Sequence, residues 1–188
     1  IRKSHKNYDE GKITSLITPS ENRQDAYCLH YEKCGGCKTQ HINYSSQLIW
    51  KEQVVRDALE RIGGFQNLSI RPIVGCEDTK YYRNKLDYAV SNKRWLSEEE
   101  IHSEESFNRS GIGFHLVGMF DKVLDITRCY HMPEIHNDIR NHIRNAAIEY
   151  NIPFYDILKK EGCLRNILMR NNVLGEWMIC IQVWDLHE

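Results

Sequence analysis

The sequence has no apolar run approaching the ~20 residues that a membrane-spanning helix needs, and no signal peptide opens it. No helical membrane span and no export through a cleaved leader are expected. There is no initiator methionine: the first residue is Ile1, as expected of a fragment or a processed product. Internal repeats and low-complexity tracts are also missing, so solenoid and disordered-tail architectures are not indicated. Charge of one sign is lacking too. The formal net charge is −1, which gives no global sign of a polyanionic partner. What remains is 188 residues, 41% of them apolar, an ordinary globular balance with enough chain for one sizeable domain or one domain and part of another.

Cysteine is present but unevenly used. Seven cysteines is an odd number, and without an export signal it argues against a secreted disulfide framework. A reducing, cytoplasmic setting is expected. Cys28, Cys34 and Cys37 fall within ten residues in "CLHYEKCGGC", a C-x5-C-x2-C pattern. Soft thiolates suit zinc and iron–sulfur clusters, and glycine between the last pair lets the backbone fold closely around a metal. A tetrahedral ion or a four-iron cube needs a fourth ligand. Cys163 and Cys180 lie in apolar strand patterns and read as core residues. Cys76 sits in a loop without special neighbours. Cys129, in "DITRCYHMP", follows a strand and precedes a helix, a junction suited to presenting a ligand. His30, His41 and His131 are alternatives for zinc. Spacing alone leaves zinc and iron–sulfur equally open.

The remaining pattern is α+β, with several hairpins, two main helices and a mainly antiparallel sheet. Residues 1–20 read as the end of something, with a strand-like stretch from Ile13 to Ile17 and no core of their own. A helix from Ser45 to Ile62 places Leu48, Val55, Leu59 and Ile62 on one face. Ser45 or Ser46 caps it, and Gly63-Gly64 stops it. Residues 68–75 and 85–91 read as strands, the latter alternating Leu86, Tyr88 and Val90. The acidic stretch 97–109 reads as a solvated loop, and 111–126 as a hairpin turning between Gly118 and Lys122. A helix from Pro133 is expected to bury Ile135, Ile139, Ile143, Ala146 and Ala147. Residues 163–171 and 176–184 form a final hairpin.

The neutral total conceals a local excess. "KYYRNKLDYAVSNKRW" (80–95) holds Lys80, Arg83, Lys85, Lys93 and Arg94 against Asp87 alone, and the acidic stretch that follows cancels it. A protein working on structured RNA needs cations for phosphates and aromatic or polar groups for unstacked bases. Tyr82, Arg83 and Lys85 fit that need, with Arg165 and Arg170 as a weaker second patch; solvated strand edges are the bland alternative. Arg83 and Lys85 are expected on one strand face, with Asn84 turned inward into a buried hydrogen bond.

Several ordered motifs resemble the RNA (uracil-5-)-methyltransferase family, especially its iron–sulfur 23S rRNA members. They are C-x5-C-G-G-C followed by Gln40-His41, Gln47-Leu48 and Lys51, then "YYRNKLDYAV", "DITRCYHM" and "LRNILMR". The resemblance covers roughly residues 18–185. It implies a [4Fe-4S] cluster on Cys28, Cys34, Cys37 and Cys129, RNA (23S rRNA above all) as partner, and no obligate protein partner. It implies that residues 1–20 are the tail of an OB-like TRAM barrel and that 21–188 form the central cluster-bearing domain. In that family a Rossmann-like domain binds S-adenosylmethionine and carries the cysteine that attacks uracil C6. Neither is matched here: "GIGFH" is a glycine pair leading into a strand, not a cofactor loop opening a helix. No catalytic and no S-adenosylmethionine-binding residue is therefore assigned, and the chain alone is expected to be inactive. A zinc-bound nucleic-acid-binding module and an iron–sulfur redox or sensor protein are the alternatives.

Overall fold

Strand β3 (Lys85–Ser91) is the centre of the molecule because its alternation is satisfied on one side: Leu86, Tyr88 and Val90 are all buried. In the computed structural model, which describes residues 1–184, β3 lies between two antiparallel hairpins. One is β4 (Gly111–Leu116) with β5 (Met119–Asp125); the other is β6 (Leu164–Asn171) with β7 (Trp177–Val183). The five-stranded order is β5-β4-β3-β6-β7. Leu86 lies opposite Met169 and Tyr88 opposite Ile167, so matching apolar positions share the covered face. The α+β architecture with a mainly antiparallel sheet is as the sequence indicates. The first hairpin turns tightly through Val117 and Gly118, earlier than its expected turn.

Helix α1 (Tyr44–Asp57) continues into a π-helical turn over Ala58–Ile62. Its cap is Asn43 rather than a serine: the Asn43 side chain accepts from the Ser46 N–H at 2.9 Å and from the Ser45 hydroxyl at 2.8 Å. The stop is at the expected place, with Gly64 in the left-handed region at φ 70°. The expected apolar face is only partly covered, however. No α1 residue is buried: Leu48, beside Gly75, and Leu59 are half-buried, while Val55 and Ile62 are exposed.

Helix α3 (Ile135–Glu149) covers the sheet but is rotated from expectation. Its buried residues are His136, Asn137, Arg140 and Ala147; Ile139 and Ile143 pack partly against the core, and Ile135 is exposed. Each of these polar side chains has at least one partner inside, which offsets its burial, while His136 Nε2 and Arg140 Nε are buried without one. Arg140 donates to the Ile112 carbonyl at 2.8 Å and lies 3.7 Å from Asp125. His136 Nδ1 donates to the Pro133 carbonyl at 2.6 Å.

Other expectations are corrected. Residues 68–75 form no strand. The stretch 13–17 forms none either; instead β1 (Lys3–Ser4) pairs with β2 (Asp9–Glu10), and both are exposed. The acidic segment is not all loop. Helix α2 (Glu98–His102) begins with a Ser97–Glu100 capping box, an S-x-x-E signal legible in the sequence. Cys180 is exposed rather than a core residue, because β7 is an uncovered edge strand, and Cys163, just before β6, is half-buried.

Candidate metal centre and nucleic-acid interface

The C-x5-C-G-G-C loop is seated against the end of β4 by its own backbone. The Cys34 N–H donates to the His30 carbonyl, and the Gly35 N–H to the His115 carbonyl, both at 2.9 Å. A side chain at residue 35 would place its Cβ 2.6 Å from that same His115 oxygen, so the position demands glycine. Cys129 arrives from the opposite direction, after β5. Buried Asn137 of α3 clamps its backbone on both sides, accepting from the Cys129 N–H at 2.8 Å and donating to its carbonyl at 3.1 Å.

These two anchors bring Cys28, Cys34, Cys37 and Cys129 to the wall of one cavity, although 91 residues lie between the last two in sequence number. Cys34 and Cys129 are buried within the hydrophobic core, and Cys28 and Cys37 are half-buried. All four are free thiols. Burial pushes the Cys129 thiol up to about 12, with the neighbouring cysteines adding to the rise. Burial likewise raises Cys34 and Cys37. The open space among them is about 20 Å³. Among the described residues no three His, Cys, Asp or Glu side chains already stand in metal-binding geometry. Cys76, Cys163 and Cys180 are not on this wall.

The histidines separate. His131 Nε2 lies 3.0 Å from Cys37 Sγ, while its Nδ1 is buried without a partner. Burial, then Arg83 and His136, hold His131 near 4, so it is neutral at physiological pH. His30, also on the wall, accepts at Nε2 from the Thr127 N–H at 3.1 Å, and His41 is off the wall, bonded to the hydroxyl of Tyr31, which lines it. Gln40, also buried, accepts from the Cys28 N–H at 3.3 Å, as suits a group that orders a thiol loop.

A second, larger pocket shares this wall through Tyr27, Gly36, Cys37, Gln40 and His131. Its volume is about 520 Å³. Tyr82 and Arg83 line it with Lys80 of the same basic stretch, and so do Tyr44 and Lys51 of α1, which the sequence pattern does not connect to them. The link is made by backbone pairing just past Cys129: the Tyr81 N–H donates to the Tyr130 carbonyl at 2.7 Å and the Arg83 N–H to the His131 carbonyl at 2.8 Å. Tyr81 between them is left-handed, φ 59°, a conformation rarely adopted by a bulky residue. Its hydroxyl donates to Glu134 at 2.7 Å, and Arg128 and Tyr81 together draw the Glu134 carboxyl down to about 2.

The remaining basic candidates lie elsewhere. Lys85 and Arg170 face each other across β3 and β6 on the uncovered side of the sheet, both exposed. Arg165 lies over the rings of Tyr155 and Trp184, about 5 Å from each centroid. Arg83 precedes β3, so it shares no strand face with Lys85. Asn84 is exposed; only its backbone carbonyl is engaged, by the Asn171 N–H at 3.1 Å. The local basic excess of residues 80–95 is also smaller in space than in sequence. Arg94 is bound by Glu100 at 2.7 Å and Lys93 by Asp156 at 2.9 Å, so the acidic stretch neutralises Arg94 in space and not only in the total.

No protein-family model matches the chain. Individual proteins do. The chain is 43% identical over 96% of its length to an uncharacterized RNA methyltransferase of Porphyromonas gingivalis, covering 40% of that protein. It is 38% identical over its whole length to one of Bacteroides thetaiotaomicron, covering 42% of it. Among solved structures, the tRNA (uracil-54, C5)-methyltransferase of Pyrococcus abyssi, in complex with S-adenosyl-L-homocysteine, superposes with a TM-score of 0.61 at 26% identity. That match covers 92% of this chain and 35% of the other. The chain is thus homologous to one portion of the RNA methyltransferases, and it spans about two fifths of the length of the curated relatives it matches.

Proposed function

We propose that the chain is the cluster-holding, RNA-recognising part of an S-adenosylmethionine-dependent RNA (uracil-5-)-methyltransferase. The observation that carries this reading is its homology to RNA methyltransferases together with its structural likeness to a uracil-C5 enzyme. The substrate is an RNA uridine, in 23S rRNA by the motif resemblance. The tRNA named for the solved neighbour favours a second reading, methylation of tRNA. The protein acts in the cytoplasm, where a reducing environment keeps its thiols free.

Cys28, Cys34, Cys37 and Cys129 hold a [4Fe-4S] cluster. Four soft donors on one cavity wall, none in a disulfide, match that group. When bound, the cluster ties the 28–37 loop to the segment after β5; electron transfer or sensing is the alternative use. The thiols must release their protons to bind it. Residues 1–20 are the end of an OB-like barrel. The glycine pair Gly111 and Gly113 is buried within strand β4 and opens no helix, so it does not suit the methyl donor. Binding of S-adenosylmethionine and the attack on uracil are assigned to the portion of the relatives that this chain does not match.

On the RNA side, Tyr82, Arg83, Lys85, Arg165 and Arg170 meet the substrate. Lys85 and Arg170 stand directly opposite each other with no carboxylate paired to either among the described residues. Like charges so placed repel, and a phosphate between them relieves that repulsion.

The test is iron and acid-labile sulfide per chain after anaerobic purification. Four of each are expected, with occupancy reduced by Cys129→Ser and unchanged by Cys180→Ser. Stoichiometric zinc without sulfide contradicts the cluster and favours a zinc-bound nucleic-acid module. The isolated chain is expected to form no 5-methyluridine; any such activity refutes the division of labour.

A further inference from the structure

We infer that the 520 Å³ pocket between α1 and residues 76–83 receives one unpaired nucleotide of the RNA, its base on Tyr82 and its phosphate on Lys51, Lys80 and Arg83. This rests on the RNA reading above and assigns a particular cradle to it. The first ground is charge. Lys38, Lys51, Lys80 and Arg83 line the pocket, and none has a carboxylate within ion-pair distance among the described residues. Free cations also occur elsewhere, Lys85 and Arg170 among them, but here four line one concave space. Asp78 is the one carboxylate on the wall. A concentration of free cations around a concave space selects an anion.

The second ground is aromatic. Tyr82 is 53% exposed, and His131 meets it edge to face at 5.6 Å, which fixes the ring and leaves surface free for stacking. Lys80 Nζ stands 4.2 Å above the Tyr27 ring and 5.5 Å from that of Tyr130, so its ammonium is positioned without an acidic partner. Exposed stacking rings beside backbone-binding cations are how single-stranded nucleic acid is held. The third ground is backbone conformation: the left-handed turn at Tyr81 sets Lys80 and Tyr82 about the pocket, and strain of this kind concentrates at ligand sites. The volume falls in the roughly 300–1,000 Å³ range of ligand pockets. A duplex offers no single base to enter it.

The experiment is fluorescence anisotropy with a labelled ten-nucleotide single-stranded RNA of mixed sequence, compared with a duplex of the same length. Tyr82→Ala is expected to weaken the single strand roughly 5- to 150-fold, and Tyr82→Phe to restore most of the loss. Lys51→Ala, on an exposed helix surface, is expected to lower the log–log salt slope by about 0.7. If Tyr82→Ala does not fold, as checked by circular dichroism, Lys51→Ala and Tyr82→Phe decide. Unchanged affinity and slope in the pocket variants, with weaker binding in a Lys85→Ala/Arg170→Ala variant, overturns the pocket and leaves the RNA reading standing. Duplex bound as tightly as single strand also overturns the pocket. No binding of either RNA by the wild-type chain removes both readings.

Discussion

The cations around α3 and those around β3 are the same residue types put to opposite uses. At α3, Arg140 is 1% exposed and bonds a backbone carbonyl, while Arg144 grips both oxygens of Asp125 at 2.7 and 2.9 Å. At the start of β3 and across from it, Arg83, Lys85 and Arg170 are exposed and have no acidic partner among the described residues. Paired cations near the core hold the helix to the sheet. Free cations at the surface add little to stability and are available to a ligand. Partnership, not residue type or local density, separates structural charge from functional charge.

That separation is sharpest at Arg140. Arg140→Ala removes a buried guanidinium and leaves the Ile112 carbonyl unpaired, and a loss of about 3 kcal/mol is expected by chemical denaturation. RNA affinity of the molecules that remain folded should not change. A loss below about 0.5 kcal/mol would erase the structural side of the comparison.

Arg94 lies between the extremes. It is bidentate to Glu100, and it also donates to the Asn108 carbonyl at 2.6 Å. Arg94→Ala should cost about 1 kcal/mol, near the upper end for partly exposed pairs, and should fray α2, whose capping box uses the same Glu100. Lower amide protection confined to residues 97–102 is the expected hydrogen-exchange result.

The smallest effect is pH-dependent. The hydrogen bond from Lys93 holds the Asp156 carboxyl down to about 2 from its ordinary 3.8, with the Leu158 and Lys159 amides adding to it. A depressed carboxyl contributes stability that is complete above its unfolded value and lost as pH falls. The thermal midpoint should therefore drop between about pH 4 and pH 2 by more in the wild type than in Asp156→Asn. Parallel acid profiles would remove Lys93 from the paired class.

The sequence disclosed the strands better than the surroundings of the helices. Leu86, Tyr88 and Val90 alternate because one sheet face is covered, and period-two alternation depends only on neighbours along the strand. The buried face of α3 was misread because His136, Asn137 and Arg140 are accepted inside by partners on β4, around Cys129 and at Pro133, none of them visible locally. The α1 stripe is legible as a stripe, but its cover is not, because the segment that packs beside Leu48, around Gly75, forms no regular element. In the site, the C-x5-C-G-G-C spacing named three thiols, and the strand–helix junction pointed to Cys129. Lys51, Tyr27 and Tyr44 carried no signal for the pocket, because pairing of residues 81–83 with 130–131 is what closes it. The S-x-x-E signal at Ser97 is local to the chain, and it starts a helix inside the acidic stretch.

The most direct test of the central claim is the salt dependence of single-stranded RNA binding in two triple variants. One replaces the free cations Arg83, Lys85 and Arg170 by alanine; the other replaces the paired cations Lys93, Arg94 and Arg144. The first should lose affinity and lower the log–log slope by roughly 2, three single-strand contacts at about 0.7 each, while melting near the wild-type temperature. The second should melt earlier and keep the wild-type slope. Equal slopes in the two variants, or the larger slope loss in the paired set, would contradict the account.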